Sequence, residues 1–244
     1  MHRPKGELKI VLRCSHVLCK VDDVRSVVRD YEELGFTVEY GSAPERAHNA
    51  LLWFEEGPFV EFFQLPPVFR LVKWPMAAVN GRAAGDRLAR WARPGEGWRD
   101  LALETDDVEL LRVHAALSAG GVRVSRAMKG RRTRPDGDLV RYQFLATRPV
   151  RLPFVVSAYD PPQRPAFVHH PNGARRISRV RVGIAERDRA AFNTLAAHVE
   201  PDGSLAVEVA PDTGVVAVEL EGLTGPLNPA RLHGAVLTTP ARTE

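Results

Sequence analysis

The chain has little cysteine, little lysine and no long apolar run. Its two cysteines, Cys14 and Cys19, stand five residues apart on one expected strand. Strict alternation along a strand would turn them to opposite faces, out of bridging reach. Their spacing fits neither a C-x-x-C redox pair nor a zinc knuckle. The opening "MHRPKGELKIVLR" lacks the apolar core of a secretory leader, and no stretch approaches the length of a membrane span. A cytoplasmic protein without a membrane partner is therefore expected. Lysine supplies five of the 34 basic residues and arginine the rest, for a net charge of +4. The bases are scattered among acids, with no basic stripe, so no nucleic-acid partner is expected. The sequence carries no G-x-S-x-G, H-E-x-x-H, P-loop or dinucleotide fingerprint, which argues against a nucleotide cofactor.

What the chain does have is an internal repeat. The segments "SHVLCKVDDVRSVVRDYEELGFTVEY" from Ser15, "RDLALETDDVELLRVHAALSAGGVRVS" from Arg99 and "SRVRVGIAERDRAAFNTLAAHVE" from Ser178 share one plan. Each opens with an alternating strand, meets acidic residues, then enters a short helix. Asp22 or Asp23, and Asp106 or Asp107, are natural N-caps. Val24, Val27, Val28, Tyr31 and Leu34 recur at helical spacing, and Gly35 and the Gly120–Gly121 pair suit helix ends. Further strands follow each helix, among them "HNALLWF" and "PFVEFFQL" around the turn "EEGP".

The fold class expected is therefore α+β: repeated βαβββ modules forming curved, mainly antiparallel sheets. Residues 1–66 form the first module, 67–97 a connector with a short helix near Gly85–Trp91, and 98–160 the second module. A proline-rich connector spans 161–176, and 177–244 is a third, partial module. It is expected to cap the cup or to pair with another subunit, which leaves a homodimer open. Alternation puts His16, Asp100 and Arg179 on strand faces turned away from the helices. A wet outer face explains such a pattern; so does a concave inner wall that carries chemistry.

Four fragments, in order, narrow this further: "HNALLWFEEGPFVEFF", "GEGWRDLALETDDV", "RTRPDGDLVRYQF" followed by "LPF", and "HPNGARRISRVRV". Together they resemble the glyoxalase-like family of the vicinal oxygen chelate superfamily. The resemblance covers about residues 12–185 and is specific for the fold rather than for a reaction. It implies a cup with ligands from the first and last strands of each module, here His16 and Glu61. In the second module it sets Asp100 in the place of His16 and Val156 in the place of Glu61. The implied metal set is His16, Glu61 and Asp100, for a divalent zinc, manganese, magnesium, iron or nickel ion. Without a metal, His16 and Glu61 would serve as an acid–base pair.

In the third module Arg179 takes the place of His16, with Glu219 near the place of Glu61. The expected outcome is an Arg179–Glu219 salt bridge, with an anionic-substrate contact as the alternative. Asn49 stands as a substrate ligand or a turn stabiliser. Arg132, in the loop expected over 130–138, is either solvated or reaches a phosphate or carboxylate. His169 and His170 read as part of a structural turn.

Two functions of different class remain. One is a glyoxalase-like enzyme, of lyase or isomerase type, acting on a small oxygenated substrate through Glu61 and His16. The other is a non-catalytic protein that sequesters a small ligand, as bleomycin-resistance members do.

Overall fold

A computed structural model describes residues 10–240. The start of the N-terminal stretch discussed above lies outside the described residues. The first module comprises β1 (Arg13–Lys20), α1 (Val24–Glu33), β2 (Glu39–Tyr40), β3 (Asn49–Leu52) and β4 (Phe59–Phe63). The connector holds two helices, α2 (Lys73–Asn80) and α3 (Arg82–Trp91). The second module is β5 (Gly97–Glu104), α4 (Leu111–Ala119), β6 (Arg123–Val124), β7 (Met128–Thr133), β8 (Leu139–Leu145), β9 (Thr147–Arg148) and β10 (Phe154–Val156). The third is β11 (Arg176–Ile184), α5 (Arg189–Ala196), β12 (Leu205–Val209), β13 (Gly214–Glu221) and β14 (Leu237–Thr238). Among the described residues, no helix is long and apolar enough to cross a membrane.

The first helix forms as its sequence dictates. The Asp23 carboxylate accepts the Arg25 N–H at its N-terminus. Gly35 ends it at φ +79°, a left-handed geometry that lets the Phe36 N–H reach the Tyr31 carbonyl. The second helix departs from expectation. It starts at Leu111 with no side-chain cap, and Asp106 instead binds Arg13. Three residues separate β1 from α1, but six separate β5 from α4.

Modules one and two share an eight-stranded sheet in the order β2-β3-β4-β1-β5-β10-β8-β7. It curls into a half-barrel. Strands β1 and β5 meet antiparallel at its centre, while β1/β4 and β5/β10 are parallel. The two βαβββ units are thus two halves of one cup. One face packs Val17, Cys19, Val60, Phe62, Leu101 and Leu103 into the main core with the helices. The concave face carries His16, Leu18, Glu61, Phe63, Phe154 and Val156.

A bulge sets His16 in place. Cys14 pairs with Leu103 and His16 with Ala102, so two steps on β1 match one on β5. Without the extra residue, Cys14 and His16 would share a face. With it, Cys14 joins Cys19 in the core behind the sheet, where both are buried free thiols. The expectation that the cysteines face opposite sides fails for this reason.

The third module does not cap the cup. Its strands form a separate sheet, β12-β11-β13-β14, whose Val180, Val182, Val218 and Leu220 enter the main core behind the first sheet. Leu12 exchanges backbone hydrogen bonds with His198 and Glu200 at its edge. Strands β12 and β13 flank β11 rather than pairing with each other. The cup is instead filled on its second-module side by α3. Gly85 lets α3 pack closely on α2: a Cβ there would lie 2.4 Å from the Lys73 carbonyl oxygen.

Candidate active site

His16 and Glu61 do meet. Strand β1 brings the imidazole and β4 the carboxylate to the concave face, with Nε2 3.5 Å from Oε2. His16 is buried, stacked on Phe59 at 4.7 Å and edge-on to Phe154 at 5.8 Å. Asn49, on β3, donates from Nδ2 to Glu61 Oε1 at 2.8 Å. Asn49 thus holds the carboxylate that the sequence left as its neighbour.

Burial disfavours both charged forms of this pair. It pulls His16 down from 6.5 to about 3, with the charge of Arg132 acting in the same direction. It raises Glu61 above the usual carboxylate range, outweighing the Asn49 hydrogen bond and the Arg132 charge, which both lower it. The imidazole is therefore neutral at neutral pH and the contact is not an ion pair, while burial biases Glu61 against ionisation.

Hydrogen bonds behind His16 fix its tautomer. Ser15 Oγ lies 3.0 Å from His16 Nδ1 and donates to Glu104 Oε2 at 2.7 Å. A carboxylate only accepts, so the single hydroxyl proton goes to Glu104. Nδ1 must then carry the imidazole proton and donate it to Ser15. Arg13 Nε, 3.0 Å from Glu104 Oε1, anchors the chain. Nε2 presents a lone pair to Glu61, which favours a proton on Oε2. Ser15→Ala is expected to release Nδ1 and let the proton move to Nε2, where it donates to Glu61. The imidazole ¹⁵N shifts should report this switch, and the acid limb of any activity should move to lower pH. Unchanged shifts would refute the relay.

The pair sits in a cavity of about 140 Å³ with aromatic walls, among them Phe63, Trp91, Phe144 and Phe154. Tyr142 and Tyr159, 5.1 Å apart, close one side. Burial and the charge of Glu61 push Tyr142 up to about 12 and raise Tyr159 well above the usual phenol value, so both are hydroxyl donors at neutral pH. Arg132 lies on β7, not in a loop, and is close enough for its charge to act on His16, Glu61 and Tyr142. Its Nη2 donates to Gln163 Oε1 at 2.6 Å. Tyr159, Gln163 and Ser15 were not among the sequence candidates. Tyr142 was legible as an aromatic on an alternating strand, whereas nothing local marks Gln163.

Asp100 is elsewhere. It is buried and bound by Arg87 Nη1 at 2.5 Å, Trp91 Nε1 at 2.6 Å and the Leu101 N–H at 3.0 Å. Its strand partner is Leu18, and that of His16 is Ala102. Phe59 pairs with His16 and Phe154 with Ala102, within matching Pro-Phe-Val runs. Ala102 and Val156 are therefore the second-module counterparts of His16 and Glu61. Aligning the modules on Asp-Asp-Val misplaces Asp100 by two residues, because that run begins six residues after His16 but only four after Ala102. The implied set of His16, Glu61 and Asp100 does not come together. Among the described residues, no three His, Cys, Asp or Glu side chains converge as a metal site would need. Two donors, one of them already tied to Asn49, do not fit a resident divalent ion.

Arg179 is exposed and 3.6 Å from Glu219. Both line a larger cavity of about 930 Å³ whose walls come from both sheets and are rich in ion pairs such as Arg176–Glu221. The Arg179–Glu219 salt bridge expected from the sequence is present. His170 accepts the Thr37 N–H at Nδ1 and contacts the Trp53 carbonyl at Nε2, as a structural turn requires.

The chain is similar to several solved structures. A hypothetical protein from Staphylococcus aureus superposes with a TM-score of 0.63 at 15% identity, over 93% of this chain and 98% of that one. The 2,3-dioxygenase LapB from Pseudomonas sp. KL28 gives 0.48 at 9% identity, over 87% of this chain and 75% of that one. Methylmalonyl-CoA epimerase from Mycobacterium tuberculosis gives 0.37 at 16% identity, over 64% and 91%. No curated protein matches the sequence. The model of the glyoxalase-like domain matches residues 14–198, most of the chain. The chain belongs to the glyoxalase-like domain family.

Proposed function

We propose that this chain is an enzyme of lyase or isomerase type that moves a proton on a small carbonyl substrate. The observation that carries the reading is the contact of buried His16 with half-buried Glu61 at the wall of an aromatic cavity. Perturbed groups of this kind cluster at catalytic sites. The ionised Glu61 carboxylate takes a proton from the carbon beside the carbonyl, and the electron pair moves onto the carbonyl oxygen. Arg132 and the Tyr142 and Tyr159 hydroxyls supply positive charge and donors for that oxyanion. The proton then returns at another position, for an isomerase, or a leaving group departs from the next carbon, for a lyase. A buried cavity of about 150 Å³ holds roughly one benzene ring, so the reacting part of the substrate is small.

The test is solvent exchange. Wild-type protein in deuterium oxide is expected to introduce deuterium beside the carbonyl of some member of a panel of short oxo acids, ketones and aldehydes, read by proton NMR. Saturable binding across the panel with no exchange would reject catalysis and favour the sequestration reading, which the aromatic walls also support.

A further inference from the structure

A second cavity, of about 210 Å³, adjoins the first across Tyr159, which lines both. Trp53, Phe59 and Arg164 are among its walls. The two sites are one ring apart: Phe59 packs on Trp53 at 4.1 Å and on His16 at 4.7 Å. Gln163, which accepts from Arg132, lines the second cavity as well.

Its polar groups are set for an acceptor. Trp53 is 3% exposed, yet its indole N–H has no hydrogen-bond partner among the described residues. The Arg164 guanidinium lies over the Trp53 ring at 5.5 Å. Among the described residues, Arg164 donates to backbone carbonyls, those of Phe54 at 2.6 Å and of Gly57. The acids nearest in effect to Arg164 are Glu104 and Glu56. Glu104 is held by Ser15 and Arg13, and Glu56 by Arg176 at 3.4 Å. Arg13, Arg164 and Glu104 are the charged residues of the lining, so two guanidinium groups stand against one carboxylate there.

We infer that this cavity is an anion subsite that takes the carboxylate of the substrate. The inference rests on the proposed site, and it narrows the substrate class to short oxo acids whose carbonyl and carboxylate stand several carbons apart. The carbonyl end reaches Glu61 while the carboxylate meets Trp53 Nε1 and Arg164.

Binding of 4-oxopentanoate and of its neutral amide to the full chain, by calorimetry, tests this without turnover. A charge-assisted bond should make the acid bind about tenfold tighter than the amide. Arg164→Gln should erase that preference, Arg164→Lys should keep part of it, and Trp53→Phe should weaken both ligands several-fold. Circular dichroism checks that each variant is folded. Equal affinity of wild type for acid and amide, saturable binding of neither, or a preference that survives Arg164→Gln would overturn the subsite. Because binding is read alone, a failure of deuterium exchange would overturn only the proton-transfer reading.

Discussion

Glu61→Gln is expected to lower deuterium exchange by about 10²–10⁴-fold, the usual contribution of a positioned acid or base. The amide matches the carboxyl group in shape and still accepts from Asn49 Nδ2 at the Oε1 position. It cannot carry a proton at neutral pH, so the loss isolates proton transfer from packing. The pH dependence follows from the same burial. Glu61 acts as a base only when ionised, so the wild-type rate should rise as pH passes its raised pKa. His16, held near 3, stays neutral throughout that window and contributes no limb to it.

Stability should show matching signs. A carboxyl group whose folded pKa is raised stabilises the fold below its unfolded pKa, and that contribution is lost as pH rises through the folded value. Glu61→Gln removes this loss, so the variant should gain stability relative to wild type on the alkaline side. His16 behaves oppositely. Its contribution is complete above 6.5 and lost as pH falls toward 3. Urea titrations from pH 3 to 9 would read both. Wild-type exchange rates in Glu61→Gln would sink the assignment.

How much of this was legible in the sequence follows from the range of the forces involved. Periodicity and caps are local, and they located both βαβββ units and the face that carries His16, while Glu61 was implied by the family resemblance. The Pro-Phe-Val run was also readable, and it would have matched His16 with Ala102. The acidic pair competed with it and misled, because Asp-Asp-Val looks like a cap in both modules but acts as one only before α1. The bulge at Ser15–His16 leaves no pattern in its own strand, since it exists only against β5. It moved Cys14 to the back of the sheet and aimed His16 forward. Arg87 was hidden for another reason. It lies in a connector helix whose apolar face is short, and its target, Asp100, is set by tertiary packing. The third module kept its alternation, but alternation alone does not say which sheet a strand joins.

Asp100→Ala is expected to destabilise the fold by about 3–5 kcal/mol, the usual cost of removing one partner from a buried ion pair. Arg87 and Asp100 are each almost wholly buried. Arg87 Nη1 binds Asp100 Oδ2, while Nη2 donates to Leu152 O at 2.8 Å and Thr147 Oγ1 at 3.0 Å. The guanidinium also lies 5.3 Å from the Phe154 ring centre, so the pair ties α3 to the floor of the cup beside His16. Alanine would leave the guanidinium charged, dry and without its counter-ion, and would leave the Trp91 N–H without its acceptor. The double variant Arg87→Met with Asp100→Leu should recover a good part of the loss, because well-packed apolar side chains replace buried pairs at little cost. Chemical unfolding measures all three proteins. A metal ligand would behave differently: its removal would abolish activity with little change in the unfolding midpoint. Stability of Asp100→Ala within about 1 kcal/mol of wild type would return Asp100 to the functional candidates, because an effect that small is ordinary for a site away from a buried charge network.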